Sequence, residues 1–264
     1  MLPFQLPQTR FDLRFRLLGV AARVDPTFWL GALIFARPNT PFLFIVTGVA
    51  LLFVSILVHE MGHALCGKHY GDRRPGIVLY GMGGLYLAGD VELHRGRQVW
   101  MLLCGPLAGF VLGAIAVGFY FAGRRGLIPD TAMAEFLITN GILINVLWGL
   151  VNLLPIFPLD GGQILREVMR WKYHHTMDTF TYTVSIVTAI IAALGTTATA
   201  FLYDTGFFPI ALFTILAYQN YRFRKFELLT GGFSEEQAPR QPWEQDADWW
   251  KSGEEQDSDW WKKG

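Results

Sequence analysis

The chain predicts an all-α polytopic membrane protein of about six transmembrane helices, with a membrane-associated glycine-rich β-hairpin between helices 2 and 3 and a disordered C-terminal tail. Three observations carry that prediction. Hydrophobic residues fill 52% of the 264 positions and charged residues only 17%, with a positive mean hydropathy, which is too apolar for a soluble domain of this length. The apolar residues gather into runs close to the ~20 residues that a hydrocarbon core of about 30 Å demands. Lysine and arginine fall on alternate connecting segments, as they do when one face of a membrane collects positive charge.

The elements follow in order. The first 25 residues scatter Arg10, Arg14, Arg16 and Arg23 among apolar positions, so no cleavable leader with a continuous apolar core is expected. Six apolar segments are assigned to the membrane: 27–36, 42–65, 99–122, 136–157, 181–203 and 207–218. The first would rise only about 15 Å as a helix and must borrow flanking residues or thin the bilayer. On alternate faces, one side collects Arg10, Arg14, Arg16, Arg23, Lys68, Arg73, Arg74, Arg95, Arg97, Arg166, Arg170, Lys172, Arg222, Arg224 and Lys225. The other collects Arg37, Arg124 and Arg125. Fifteen against three places both termini in the cytoplasm and puts the ends of spans two and four on that same side.

Between spans two and three, residues 71–89 set short β-prone runs around glycines, with Ile77-Val78-Leu79-Tyr80 before the turn and Leu85-Tyr86-Leu87 after it. An apolar hairpin of that kind beside a membrane needs protein or an aqueous cavity to cover its backbone. Residues 1–231 form the membrane-embedded domain, and 232–264 a polar tail in which Glu244-Gln245-Asp246-Ala247-Asp248-Trp249-Trp250-Lys251 recurs as Glu255-Gln256-Asp257-Ser258-Asp259-Trp260-Trp261-Lys262. Two polar copies cannot bury a core, so disorder is expected, with the paired tryptophans free to dock on a regulatory partner or a membrane surface. A formal net charge of zero argues against bulk electrostatic binding of nucleic acid. Cys66 and Cys104, both in or beside apolar runs, read as packing residues without a disulfide.

The chemistry concentrates in His59-Glu60-Met61-Gly62-His63, at the end of the second apolar segment. Residues four apart lie one turn above each other on a helix, so the two imidazoles can grip one metal ion while the carboxylate between them reaches its bound water. That arrangement is hydrolytic and suits zinc. A catalytic zinc takes a third protein ligand and keeps one position open. Ionisable residues in apolar spans are costly and are functional candidates by default, and Asp160 stands out among them. It follows Asn152-Leu153-Leu154-Pro155-Ile156-Phe157-Pro158-Leu159 and precedes Gly161-Gly162, where prolines interrupt the helix and a glycine pair permits a tight backbone. His69 and His94 share the cytoplasmic face and read as solvated loop histidines.

With these two motifs in view, the chain over residues 26–162 resembles the site-2 protease family of intramembrane zinc metalloproteases. The resemblance implies His59, His63 and Asp160 as ligands of one zinc ion, Glu60 as the catalytic base and Asn152 on the substrate-binding side. Gly105-Pro106-Leu107-Ala108-Gly109 is similar to a Gly-Pro element of the family's third core span, with Gly109 where many members carry Asn, and no polar substrate contact is assigned there. The hairpin looks like the family's membrane-associated element that receives extended substrate. Against the family's pattern, an inserted PDZ domain is not expected here, and the tryptophan repeat is read in the place of the CBS domain of other members.

The implied activity is zinc-dependent hydrolysis of peptide bonds in or near transmembrane segments, as in regulated intramembrane proteolysis. The expected partners are a membrane-protein substrate and the lipid bilayer, and the expected location is the cell (inner) membrane of a prokaryote, with the active site toward the cytoplasm. Two other readings stand beside it. One is a catalytically silent homologue that binds membrane-protein partners, against which the intact Glu60 argues. The other is a zinc transporter, which would spread polar residues along a pathway where these cluster at one depth.

Overall fold

The computed structural model describes residues 9–33, 40–81, 83–89, 93–173, 178–203 and 208–230. The tail at 232–264 and the end of the 27–36 segment lie outside them. The elements run β1 (Leu13–Leu17), β2 (Val20–Val24), α1 (Pro26–Leu33), α2 (Phe42–His69), β3 (Gly76–Tyr80), β4 (Gly83–Leu87), α3 (Arg95–Arg124), α4 (Ala132–Asn152), α5 (Asp160–Tyr173), α6 (Asp178–Tyr203) and α7 (Phe208–Thr230).

Helix dominates because the apolar runs are long and unbroken. Among the described residues, four helices are long and apolar enough to cross a membrane: α2, α3, α4, and α6 through Ala200. The described part of the first expected span, α1, has 8 residues and rises about 12 Å, well short of a bilayer core. Helix α7 has 23 residues, but its second half carries Arg222, Arg224, Lys225 and Glu227 and is not apolar.

The all-α class needs one correction, because the expected hairpin is half of a four-stranded sheet in the order β1-β2-β3-β4. Leu13-Arg14-Phe15-Arg16-Leu17 alternates apolar and charged residues, the period of a strand. Leu18 and Gly19 follow with φ of 52° and 81°, the paired positive values of a two-residue hairpin turn, and β2 returns antiparallel. Asp12 holds Arg14 and the buried Arg23 at 3.5 and 3.6 Å. Strand β2 then pairs in parallel with β3, from Ala21↔Gly76 to Val24↔Leu79. A parallel pair needs a long crossover, and α1 and α2 supply it. The hairpin β3–β4 closes at Tyr80↔Gly83 and leaves β4 at the sheet edge.

The chain divides into two compact units. The sheet unit holds β1 to β4, α1, α2, α3 from Leu103 and α4 up to Leu150. Its core is the seam between the sheet and α2, where Val20, Val24, Ile77 and Leu79 pack with Phe28, Leu52, Ile56, Met61 and Ala64. The helical unit holds the start of α3, the end of α4 from Val151, and α5 to α7. Its core is built by Ile156, Ala189, Phe213 and Leu216. Arg166 and Arg170, one turn apart on α5, both reach the Asp178 carboxylate at the start of α6, at 2.9 and 2.7 Å.

Candidate metal centre

Helix α2 carries His59, Glu60 and His63 in its last three turns, and all three are buried. The helical repeat stacks the two imidazoles, and their Nε2 atoms lie 3.3 Å apart. A tetrahedral ion bound through two imidazole nitrogens at about 2.05 Å separates them by about 3.3 Å, so the pair matches one edge of a zinc site.

Three glycines make the arrangement possible, and motif reading did not single them out for this. Gly62 and Gly105 let α2 and α3 approach closely: a Cβ at Gly62 would meet the Cys104 carbonyl, and one at Gly105 would collide with the His63 imidazole. Gly84, the second residue of β4, brings the edge strand against the base, because a Cβ there would overlap the Glu60 side chain. Gly62 lies within the His59 to His63 motif and Gly105 within the Gly-Pro element, but neither motif shows what its glycine faces. Their role depends on tertiary placement.

The hairpin is pinned at its base by a buried carboxylate. Asp72 accepts hydrogen bonds from the Arg74 N–H at 2.9 Å, the Tyr86 hydroxyl at 2.5 Å and the Gly89 N–H at 3.0 Å. Burial first, and then this bond, raise the Tyr86 phenol above its ordinary value. Tyr80, at the end of β3, is pushed up to about 12 by burial and then by the Glu60 carboxylate. Sequence reading also passed over Asn145 on α4, a buried amide that donates to Ser55 Oγ at 3.1 Å, one helical turn before His59.

Asn152 and Asp160 belong to the helical unit. Asn152 is the last residue of α4, Asp160 the first of α5, and both are buried. The turn between them doubles back on itself. A Cβ on Gly161 would strike the Leu153 and Leu154 carbonyls, and one on Gly162 would strike the backbone of Ile156 and Phe157. The glycine pair after Asp160 is thus required by the turn, as its sequence led one to expect. His69 and His94 are both exposed, in keeping with solvated histidines, and Cys66 and Cys104 are free thiols.

Residues 126–195 match peptidase family M50, a stretch that includes Asn152 and Asp160 but stops short of the His59 to His63 motif. The chain is similar to the zinc metalloprotease MJ0392 of Methanocaldococcus jannaschii, 29% identical over 169 residues that cover 62% of this chain and 47% of that protein. It is also similar to the putative zinc metalloprotease Rip3 of Mycobacterium tuberculosis, 31% identical over 129 residues, covering 48% of this chain and 32% of that one. The chain therefore spans less than half the length of these curated relatives. Among solved structures, the site-2 protease from Methanocaldococcus jannaschii shares the fold with a TM-score of 0.54 at 24% identity, over 81% of this chain and 95% of that one. The likeness read from the two motifs thus recurs as a peptidase-family segment, as zinc metalloprotease relatives and as a common fold.

Proposed function

We propose that this chain is a zinc-dependent intramembrane endopeptidase that cuts membrane proteins in or near their transmembrane segments. The observation that carries the reading is the His59–His63 pair, buried on an apolar helix at the separation of a tetrahedral edge, with Glu60 between them lying against an edge strand. His59, His63 and Asp160 are the ligands in this proposal. Zinc held there would supply an acidified water and polarise the scissile carbonyl.

The chain's own groups do the rest. Glu60 accepts the proton of the attacking water and returns it to the leaving amine. Strand β4 lies at the sheet edge, so its outer backbone groups can pair with a substrate segment that has unwound into an extended form. The same strand runs past Glu60 at Gly84, which would bring the added backbone to the base. Asn152 is assigned a hydrogen bond to substrate backbone or developing oxyanion.

The membrane reading takes α2, α3, α4 and α6 as spans, with α7 and the segment opened by α1 as two more, and sets both termini and the active site toward the cytoplasm of a prokaryotic cell. The β3–β4 hairpin then lies at that face of the membrane. His63 and His59 precede the end of α2 by six and ten residues, which puts them about 9 Å and about 15 Å from that helix end. The reaction would take place in the cytoplasmic half of the bilayer, and water must be admitted from that side.

The test is cleavage of a model transmembrane substrate by the purified chain in lipid. Glu60→Gln should abolish cleavage while zinc stays bound. Full cleavage by that variant would remove the base role, and zinc binding with no proteolysis in the wild type would favour the catalytically silent reading.

A further inference from the structure

Asp160 is held by a turn, and that turn is held from outside by two polar side chains. The Phe157 N–H donates to Ser185 Oγ at 2.9 Å, and the Phe157 carbonyl accepts from Asn220 Nδ2 at 2.5 Å. Ser185 lies on α6 and Asn220 on α7, and both are completely buried. Each is locked by its own helix: the Ser185 hydroxyl donates to the Thr181 carbonyl at 2.8 Å, and Asn220 Nδ2 also donates to the Leu216 carbonyl at 2.8 Å. The serine therefore presents a lone pair, and the asparagine a proton, in fixed directions.

The turn continues directly from this grip into the first turn of α5. Leu159 N–H reaches the Ile156 carbonyl at 2.8 Å, and Gln163 Nε2 reaches the Pro158 carbonyl at 2.9 Å. Asp160 is three residues beyond Phe157. The amide of Asn220 serves two carbonyls at once, Phe157 on the turn and Leu216 on its own helix, so it ties the turn to α7.

We propose that Ser185 and Asn220 are positioning residues for Asp160, fixing through both backbone polar groups of Phe157 the turn that presents the carboxylate as a metal ligand. The inference rests on the reading of Asp160 as a zinc ligand. It gives α6 and α7 a part in metal binding, although neither carries a ligand. Polar partners that hold a ligand in place typically govern its metal affinity by 10- to 100-fold.

The experiment uses the full chain in lipid nanodiscs and measures zinc affinity by chelator competition, with the absorption spectrum of the cobalt-substituted protein as a second readout. Ser185→Ala and Asn220→Leu should each weaken zinc by roughly 10- to 100-fold and alter the cobalt spectrum, while Ser185→Thr, which keeps the hydroxyl, should restore both. If both variants fold and keep wild-type zinc affinity and cobalt spectrum while Asp160→Asn loses them, the positioning role is overturned and the ligand role stands. If Asp160→Asn itself leaves affinity and spectrum unchanged, the reading of Asp160 fails and the inference with it. Should Asn220→Leu not fold, the contrast between Ser185→Ala and Ser185→Thr decides alone.

Discussion

Two single-atom additions separate metal binding from proton transfer. A Cβ at Gly105 meets the His63 imidazole, whereas a Cβ at Gly84 meets the Glu60 side chain. Gly105→Ala should therefore displace His63, a ligand in the proposed site, and weaken zinc by about tenfold or more. Gly84→Ala should leave zinc content at the wild-type level and lower cleavage by about a hundredfold, the scale of a misplaced general base. Zinc analysis and a cleavage assay on the same two preparations check this, and a loss of zinc in Gly84→Ala would disprove the assignment of that contact. His59, Glu60, His63 and Asp160 stood out in the sequence because rare ionisable groups in apolar surroundings are conspicuous. Gly84 did not, because a glycine in a glycine-rich stretch declares its purpose only when its neighbour in space is known, and Gly105, read only as part of a Gly-Pro element, gave no sign of its contact with His63.

At the scale of elements, the β-hairpin depends on the Asp72 carboxylate at its base. The Tyr86 hydroxyl is one of three donors there, and the side chain lies against Gly67 of α2, where a Cβ would strike the phenol. Tyr86→Phe should cost about 1–2 kcal/mol, since Asp72 keeps its two backbone donors. The pH dependence has a definite sign. Because the folded-state phenol titrates above its ordinary value, its bond contributes fully below about pH 10 and is lost as pH rises through the raised value. Thermal unfolding at about pH 8 and about pH 12 should show a larger alkaline loss in the wild type than in Tyr86→Phe. Equal losses would show that the bond does not couple to stability. The hairpin was legible because its partners are adjacent in sequence. The strands β1 and β2 were not placed, although Leu13 to Leu17 alternates cleanly, because β2 finds β3 only across the whole of α1 and α2, and such a parallel pairing leaves no local signature.

At the scale of the whole molecule, the question is which side of the membrane the chemistry faces. Helices α3 and α6 each turn large apolar residues outward, among them Val111, Ile115 and Phe119 on the one and Val187, Ile191 and Leu194 on the other. Faces of that kind are stable against lipid and a liability in water. Length and apolarity identify such helices but not their direction, which rests on charge alone. Arg124 and Arg125 flank the short connection between α3 and α4, while Lys68, Arg73 and Arg74 follow α2. The fifteen-to-three charge asymmetry predicts, under the proposed topology, that the connection after α3 lies outside the cell and the segment after α2 inside it. With Cys66 and Cys104 replaced by serine, Leu127→Cys, at an exposed position, should react with a membrane-impermeant maleimide in intact cells, and Arg73→Cys only after the membrane is opened. The reverse pattern would place the ends of α2 and α4 outside. The proposed water path to Glu60 would then open to the cell exterior, and a substrate segment on the cytoplasmic side could not reach the edge of β4.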